Sequence, residues 1–386
     1  MQLRNFIRRQ KWRLRPLKRL VLPVRNAKRL AVRILRKVPT IEQSARNYRG
    51  PSFRDVTEVY PSAKITALPH PLRPNEPIVD LTSEPALVYH FTNIDFWARY
   101  GGSLVTEDNC LLADLSPEVW GVENHPLFSR LRLPALRDLP GRTAIAVTPE
   151  APGNYYHWLI DLLPRIDLLQ FGQRDFDRVL INGARTDYEK ASLAALKIPR
   201  EKIVYVSPGN RFQIEDATVG SMDHSAKAIA PWKIEMLRRL RDSLPPTQTD
   251  PRKLYISRKR AAVRRVSNEP AFEQTLRAAN FSIVELESKP WEEQVRLFSQ
   301  AEVVLAPHGA ALANIVFCEP GALVAEIGTR AGYKDFYLQL AASAGLRYCF
   351  IPAQARATGR ADSFRATENE DMIVDLDAIR EFLTGV

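Results

Sequence analysis

Cysteine is scarce in this chain of 386 residues: Cys110, Cys318 and Cys349 are its three, and none has Cys-x-x-Cys spacing. They support neither a disulfide framework nor a zinc cluster, so a reducing, cytoplasmic setting is the expectation. Acidic residues are absent from positions 1–38, which hold fourteen Lys or Arg. Beyond that stretch 41 basic residues face 44 acidic ones, so the formal charge of +11 belongs to the N-terminus and the body carries about −3. Long apolar runs are missing too. Nothing reaches the ~18 residues of a spanning helix, and arginines interrupt any signal-peptide core.

What the N-terminus does have is basic residues interleaved with Leu3, Phe6, Ile7, Trp12, Leu14 and Leu17. This pattern predicts a basic amphipathic arm over 1–38, broken near Pro16 and Pro23, lying on an anionic membrane surface. Each basic residue there would contribute about 1 kcal/mol. A solvated or partner-docking tail is the competing reading. The near-neutral body argues against nucleic acid as a partner.

At this length two domains are the default. Residues 39–90 read as loop-like, since Pro51, Pro61, Pro69, Pro71, Pro74, Pro77 and Pro85 discourage long elements. Strands are predicted at 143–147, 178–181, 203–206 and 217–219, with helices at 155–169, 187–196 and 232–244. Pro245-Pro246-Thr-Gln-Thr-Asp-Pro251 reads as a linker. Strand and helix alternation then resumes, with strands at 253–256, 281–286, 303–306 and 323–327 and helices at 270–279, 291–299 and 310–317. The predicted fold is α/β, with one Rossmann-like domain over 39–244 and another over 252–386, their parallel sheets facing across a cleft.

Two clusters stand out. In Asn154-Tyr155-Tyr156-His157-Trp158-Leu159-Ile160-Asp161-Leu162-Leu163-Pro164-Arg165, helical spacing puts His157, Asp161 and Arg165 on one face, with Asn154 as N-cap after the Pro152-Gly153 turn. The competing reading is a core histidine beside an i,i+4 ion pair, and Pro164 makes Arg165 the least secure member. The second cluster is Tyr255-Ile256-Ser257-Arg258-Lys259-Arg260 with Arg264 and Arg265, followed by Pro307-His308-Gly309-Ala310-Ala311-Leu312-Ala313-Asn314. Cations at the carboxyl end of a parallel strand, next to a small-residue helix start, have the chemistry of a diphosphate clamp. A solvated basic loop and a glycine kept for tight packing are the alternatives.

In this order, and with the Pro320-Gly321 turn before Val324-Ala325-Glu326-Ile327, these segments resemble glycosyltransferase family 61 over about residues 140–330. The resemblance implies a GT-B architecture, inverting sugar transfer from a nucleotide-diphosphate donor such as a UDP-sugar, and no metal or other cofactor. His157 would then be the base and Asp161 its orienting carboxylate, with the reverse assignment open. Arg258, Arg264 and Arg265 would neutralise the diphosphate, with His308, Gly309, Ala310 and Asn314 beside the donor. Glu326 would either hold the ribose or serve the fold. Asn154, Tyr156, Arg165 and Ser257 would support the site. The expected partners are a nucleotide sugar and a glycan or lipid-linked acceptor, at the inner face of the cell membrane. An inactive, membrane-docked nucleotide-sugar binder is the alternative function. Asp175-Phe176-Asp177 matches a metal-holding Asp-x-Asp pattern, but it precedes a strand and reads as a solvated turn.

Overall fold

The computed structural model describes residues 41–118, 124–171, 175–222, 228–245, 252–356 and 369–386. The basic arm and residues 246–251 of the linker lie outside the described residues. In chain order the strands are β1 (Ile41–Gln43), β2 (Phe53–Tyr60), the short pair β3 (Lys64–Ile65) and β4 (Leu81–Thr82), β5 (Ala86–Trp97), β6 (Ser103–Val105), β7 (Cys110–Leu112), β8 (Leu136–Ile145), β9 (Arg178–Ile181), β10 (Ile203–Tyr205) and β11 (Arg211–Gly220). After the linker come β12 (Lys253–Ile256), β13 (Ser282–Val284), β14 (Val303–Pro307), β15 (Leu323–Gly328) and β16 (Arg347–Pro352).

The first sheet runs β1-β7-β6-β5-β11-β8-β9-β10, with β2 also on β5. Only β11, β8, β9 and β10 form the expected parallel set; β5 pairs antiparallel with β2, β6 and β11. The loop-like expectation for 39–90 is therefore corrected, because that region contributes β2 and the start of the long central β5. Its prolines punctuate strands without breaking them: Pro51 and Pro61 flank β2, and Pro85 immediately precedes β5. Alternation in β5 sends Leu87, Tyr89 and Phe91 to one apolar cluster and Ala86 and Val88 to another, so both faces of the sheet are covered.

The second sheet, β13-β12-β14-β15-β16, is wholly parallel, as the alternating pattern predicted. Its strands alternate in the same way. Leu254 and Val304 enter a cluster that also holds Ala144, Ala146, Leu159 and Leu163 of the first half. One apolar core thus runs from the inner face of one sheet to the inner face of the other. Burying each large aliphatic side chain in it stabilises by about 1.5–3 kcal/mol.

Among the described residues, no helix is long and apolar enough to cross a membrane. The helix after β8 is continuous but irregular: Tyr155–His157, a π turn at Trp158–Leu162, then Leu163–Phe171, together termed α1. The others used below are α2 (Asp187–Ala195), α3 (Pro231–Asp242), α4 (Glu269–Ala278), α5 (Trp291–Gln300), α6 (Phe336–Ala344) and α7 (Leu376–Thr384). The expected helix at 310–317 is a 3-10 helix, Ala310–Phe317. Helix α3 precedes the linker yet docks on the second half, where Arg238 donates to Cys318 O at 2.8 Å and to Ala344 O at 2.7 Å.

The π turn lets the helix continue through Pro164 to Arg165. A proline ring clashes with the carbonyl four residues back in a regular helix, and the wider turn before Pro164 relieves that conflict. Arg165, one turn beyond Asp161, is buried and still borders the cavity that His157 and Asp161 line. Its guanidinium donates to Gly220 O at 3.1 and 2.9 Å and to Val147 O, tying together the carboxyl ends of β11 and β8. Burial alone pulls its pKa down. Replacing Arg165 with methionine strands two buried carbonyls, and denaturant unfolding should show a loss of about 2–4 kcal/mol. An unchanged unfolding midpoint would contradict this role.

Candidate active site

Both clusters sit at the carboxyl ends of parallel strands, where loops leave the sheet and side chains converge. After β8 the chain turns through Gly153, whose φ of 76° suits glycine, to Asn154. Asn154 caps α1 as expected, its side-chain oxygen accepting from Tyr156 N at 3.1 Å. This fixes the first turn and presents His157.

The His157 ring is engaged at both nitrogens. Nδ1 lies 2.7 Å from Asp161 Oδ2, and Nε2 lies 3.3 Å from Glu150 Oε2. On the far side of Asp161, Lys233 Nζ of α3 lies 3.7 Å from Oδ1. Burial lowers the imidazole pKa, but hydrogen bonds and charge from Asp161 and Glu150 outweigh it and hold His157 at about 9. Sequence spacing exposed the His157–Asp161 pair. It missed Glu150 and Lys233, which approach from a turn and from a distant helix.

A cavity of about 390 Å³ opens beside this group. Its walls include Tyr156, Asp161, Trp232 and Lys233 from the first half, and Phe336 and Gln339 of α6 from the second. Apolar walls with a few convergent polar groups are the usual make-up of a ligand site.

The cations of the second cluster separate. Lys259 and Arg260 both pair with Glu285, the latter at 2.5 Å. Arg265 is drawn to Asp371, donating from Nη2 at 2.8 Å and from Nε at 3.1 Å. Arg265, expected beside the donor diphosphate, thus has its charge already matched by Asp371. Arg258 and Arg264 stay together. Arg264 has a left-handed backbone with φ 59°, and its Nη1 approaches His308 O at 3.4 Å. Arg258 packs on Gly309 so closely that a Cβ there would collide with its guanidinium. Its Nη2 donates to Val263 O, while its buried Nε has no partner. Burial and the neighbouring Arg264 charge push its pKa down. Two adjacent cations, one with an unmet donor, are arranged for an anion.

Three further expectations change. Glu326 is fully buried and accepts from His308 Nδ1 and, at 2.6 Å, from the Tyr348 hydroxyl, so it orients His308 and is not left for a ribose. Asn314 is also fully buried, accepting from the Tyr155 hydroxyl at 2.5 Å, and so joins the two halves. The Ser257 hydroxyl donates to Glu269 Oε1 at 2.6 Å and steadies the start of α4. Ala310 stays beside Gly309, at the first position of the 3-10 helix.

Aromatic contacts join the clusters. Tyr156 lies 5.4 Å from His157 and 5.9 Å from Tyr337 between ring centroids, and Tyr337 lies 5.3 Å from His308. The Tyr337 hydroxyl donates to Gly309 O at 2.6 Å. The imidazole–carboxylate pair and the cation pair are therefore two sides of one site.

The family model described as Glycosyltransferase 61 matches residues 155–325, a span that holds both clusters. The chain carries a glycosyltransferase family 61 domain. No curated protein matches it. A glycosyltransferase binds a sugar donor and an acceptor. Asp175 and Asp177 lie at the opposite end of the strands, at the amino end of β9, where Arg142 and Lys202 bind them at 3.0–3.4 Å.

Proposed function

We propose that this glycosyltransferase transfers a sugar, with inversion, from a nucleotide-diphosphate donor, by preference a UDP-sugar, to a hydroxyl of a glycan or lipid-linked acceptor. The observation that carries the reading is the Arg258–Arg264 pair with its unmet buried donor, set across Tyr156 and Tyr337 from His157. Charge developing on a leaving diphosphate is met there by fixed guanidiniums, which supports a reaction that needs no divalent cation. His157 takes the acceptor proton, Asp161 holds Nδ1, and Lys233 keeps Asp161 in place. The two halves act as the paired domains of a GT-B enzyme, the acceptor entering beside His157 and the donor beside Gly309. We assign the arm at 1–38 to an anionic membrane on the cytoplasmic side, from its composition.

Thermal unfolding with a panel of nucleoside diphosphates and UDP-sugars tests the donor class. One of them should raise the melting temperature, and UDP release from the matching sugar should persist in excess chelator. No shift with any nucleotide would overturn the donor assignment. Activity lost to chelation and restored by manganese would overturn metal independence.

A further inference from the structure

Glu150 is an odd residue for its position. Its backbone has φ 59°, a left-handed conformation that costs an ordinary L-residue about 1–3 kcal/mol and that glycine or asparagine fits better. The turn that carries it ends β8 and leads into α1, and the strain sets its carboxylate 3.3 Å from His157 Nε2. With Asp161 at 2.7 Å from Nδ1, both ring nitrogens face a carboxylate, the arrangement of a doubly donating imidazolium. A ring so held has no lone pair for an acceptor hydroxyl. The charged groups around it are Asp161 on its own helix, Glu150 from the β8 turn, Lys233 of α3 behind Asp161, and Arg165 and Glu84 in the cavity wall. The two carboxylates differ in access. Asp161 is gripped between His157 and Lys233, whereas the Glu150 side chain is 48% exposed and borders water.

Building on the reading of His157 as base, we propose that Glu150 is its proton outlet: it accepts the Nε2 proton, delivers it to solvent, and yields its place on Nε2 to the acceptor hydroxyl. The step balances. The imidazolium Nε2–H bond breaks, the proton passes to a Glu150 oxygen and then to water, and the Nε2 lone pair is left to accept the hydroxyl. In transfer the acceptor oxygen bonds to the anomeric carbon, the bond from that carbon to the diphosphate oxygen breaks, and the hydroxyl proton moves to Nε2. Glu150 then discharges the one proton that each transfer releases. It is a positioning residue, acting on the sugar only through His157.

The experiment uses the full chain. Ring-nitrogen NMR follows the titration of His157, and UDP release from the UDP-sugar that the protein turns over is followed against pH. In the wild type both should report a group titrating near 9. In Glu150→Gln both midpoints should fall by about one unit or more, because one of two flanking negative charges is gone. Glu150→Gly removes the carboxylate and relaxes the left-handed backbone, so it should shift the midpoint like Glu150→Gln while raising stability. The plateau rate above the midpoint decides the role: losing the outlet should lower that plateau about tenfold or more in both variants, with the loss recovered by added imidazole buffer, whereas a plateau that stays at the wild-type rate overturns the outlet. A midpoint that falls by NMR while UDP release shows no matching limb in either protein overturns His157 as base, and the outlet with it.

Discussion

Replacing His157 with alanine should lower the transfer rate by about 10²–10⁴-fold, the usual contribution of a positioned base, while the affinity for nucleoside diphosphate stays near that of the wild type. The separation follows from the site's layout. His157 stands on the Asp161 and Lys233 side of Tyr156, and the guanidiniums stand on the Gly309 side of Tyr337. Asp161→Asn should cost nearly as much in rate, since an amide presents Nδ1 with a neutral partner and lets the ring adopt the wrong tautomer. It also leaves Lys233, a buried cation, without its carboxylate, so some stability should be lost as well. Rate and unfolding measured on the same preparations separate the two effects. If His157→Ala retained the wild-type rate, the base would have to be Asp161 or a group outside this cluster.

Much of this site could be read locally, and the unread part was contributed by distant chain. The Asn154 cap, the His157–Asp161 pair and the small-residue turn at Gly309 are consequences of residues within a few positions of one another. Glu150 and Lys233 carry no such signal. One depends on the φ of a turn, and the other lies on a helix that packs alongside α1. Arg264 and Arg265 are adjacent and equally cationic, yet a left-handed backbone at Arg264 sends them to different partners, and Asp371, which captures Arg265, is 106 positions away. The parallel second sheet was legible because its strands are continuous apolar runs between helices. The antiparallel half of the first sheet was not, because its prolines lie at strand ends and look like loop. Helical spacing put Arg165 near His157 and Asp161, where it borders their cavity, but its bonds to the carbonyls of Gly220 and Val147 depend on distant chain and on the π turn before Pro164.

Arg258→Met should act in opposite directions on stability and on binding. Arg258 is a mostly buried cation beside Arg264, with its Nε unpartnered, so its charge is a cost to the fold. Methionine keeps much of its apolar stem and removes both the desolvation and the repulsion. The melting temperature without ligand should therefore rise or hold. Nucleoside diphosphate should bind about 10–150-fold more weakly, the worth of one charge-assisted hydrogen bond at about 1.5–3 kcal/mol. Gly309→Ala tests the same cradle from the other wall, because its Cβ occupies the space of the Arg258 guanidinium. It should weaken nucleotide binding with His157 untouched, so that the pH at which UDP release half-rises stays near 9. Arg265→Met, by contrast, removes a cation committed to Asp371 and should leave nucleotide affinity within about twofold, as expected for a half-exposed ion pair away from the ligand. If Arg265→Met weakened nucleotide binding as much as Arg258→Met does, the diphosphate would lie on the Asp371 side of the loop and the assignment of the donor pocket to Gly309 would fail.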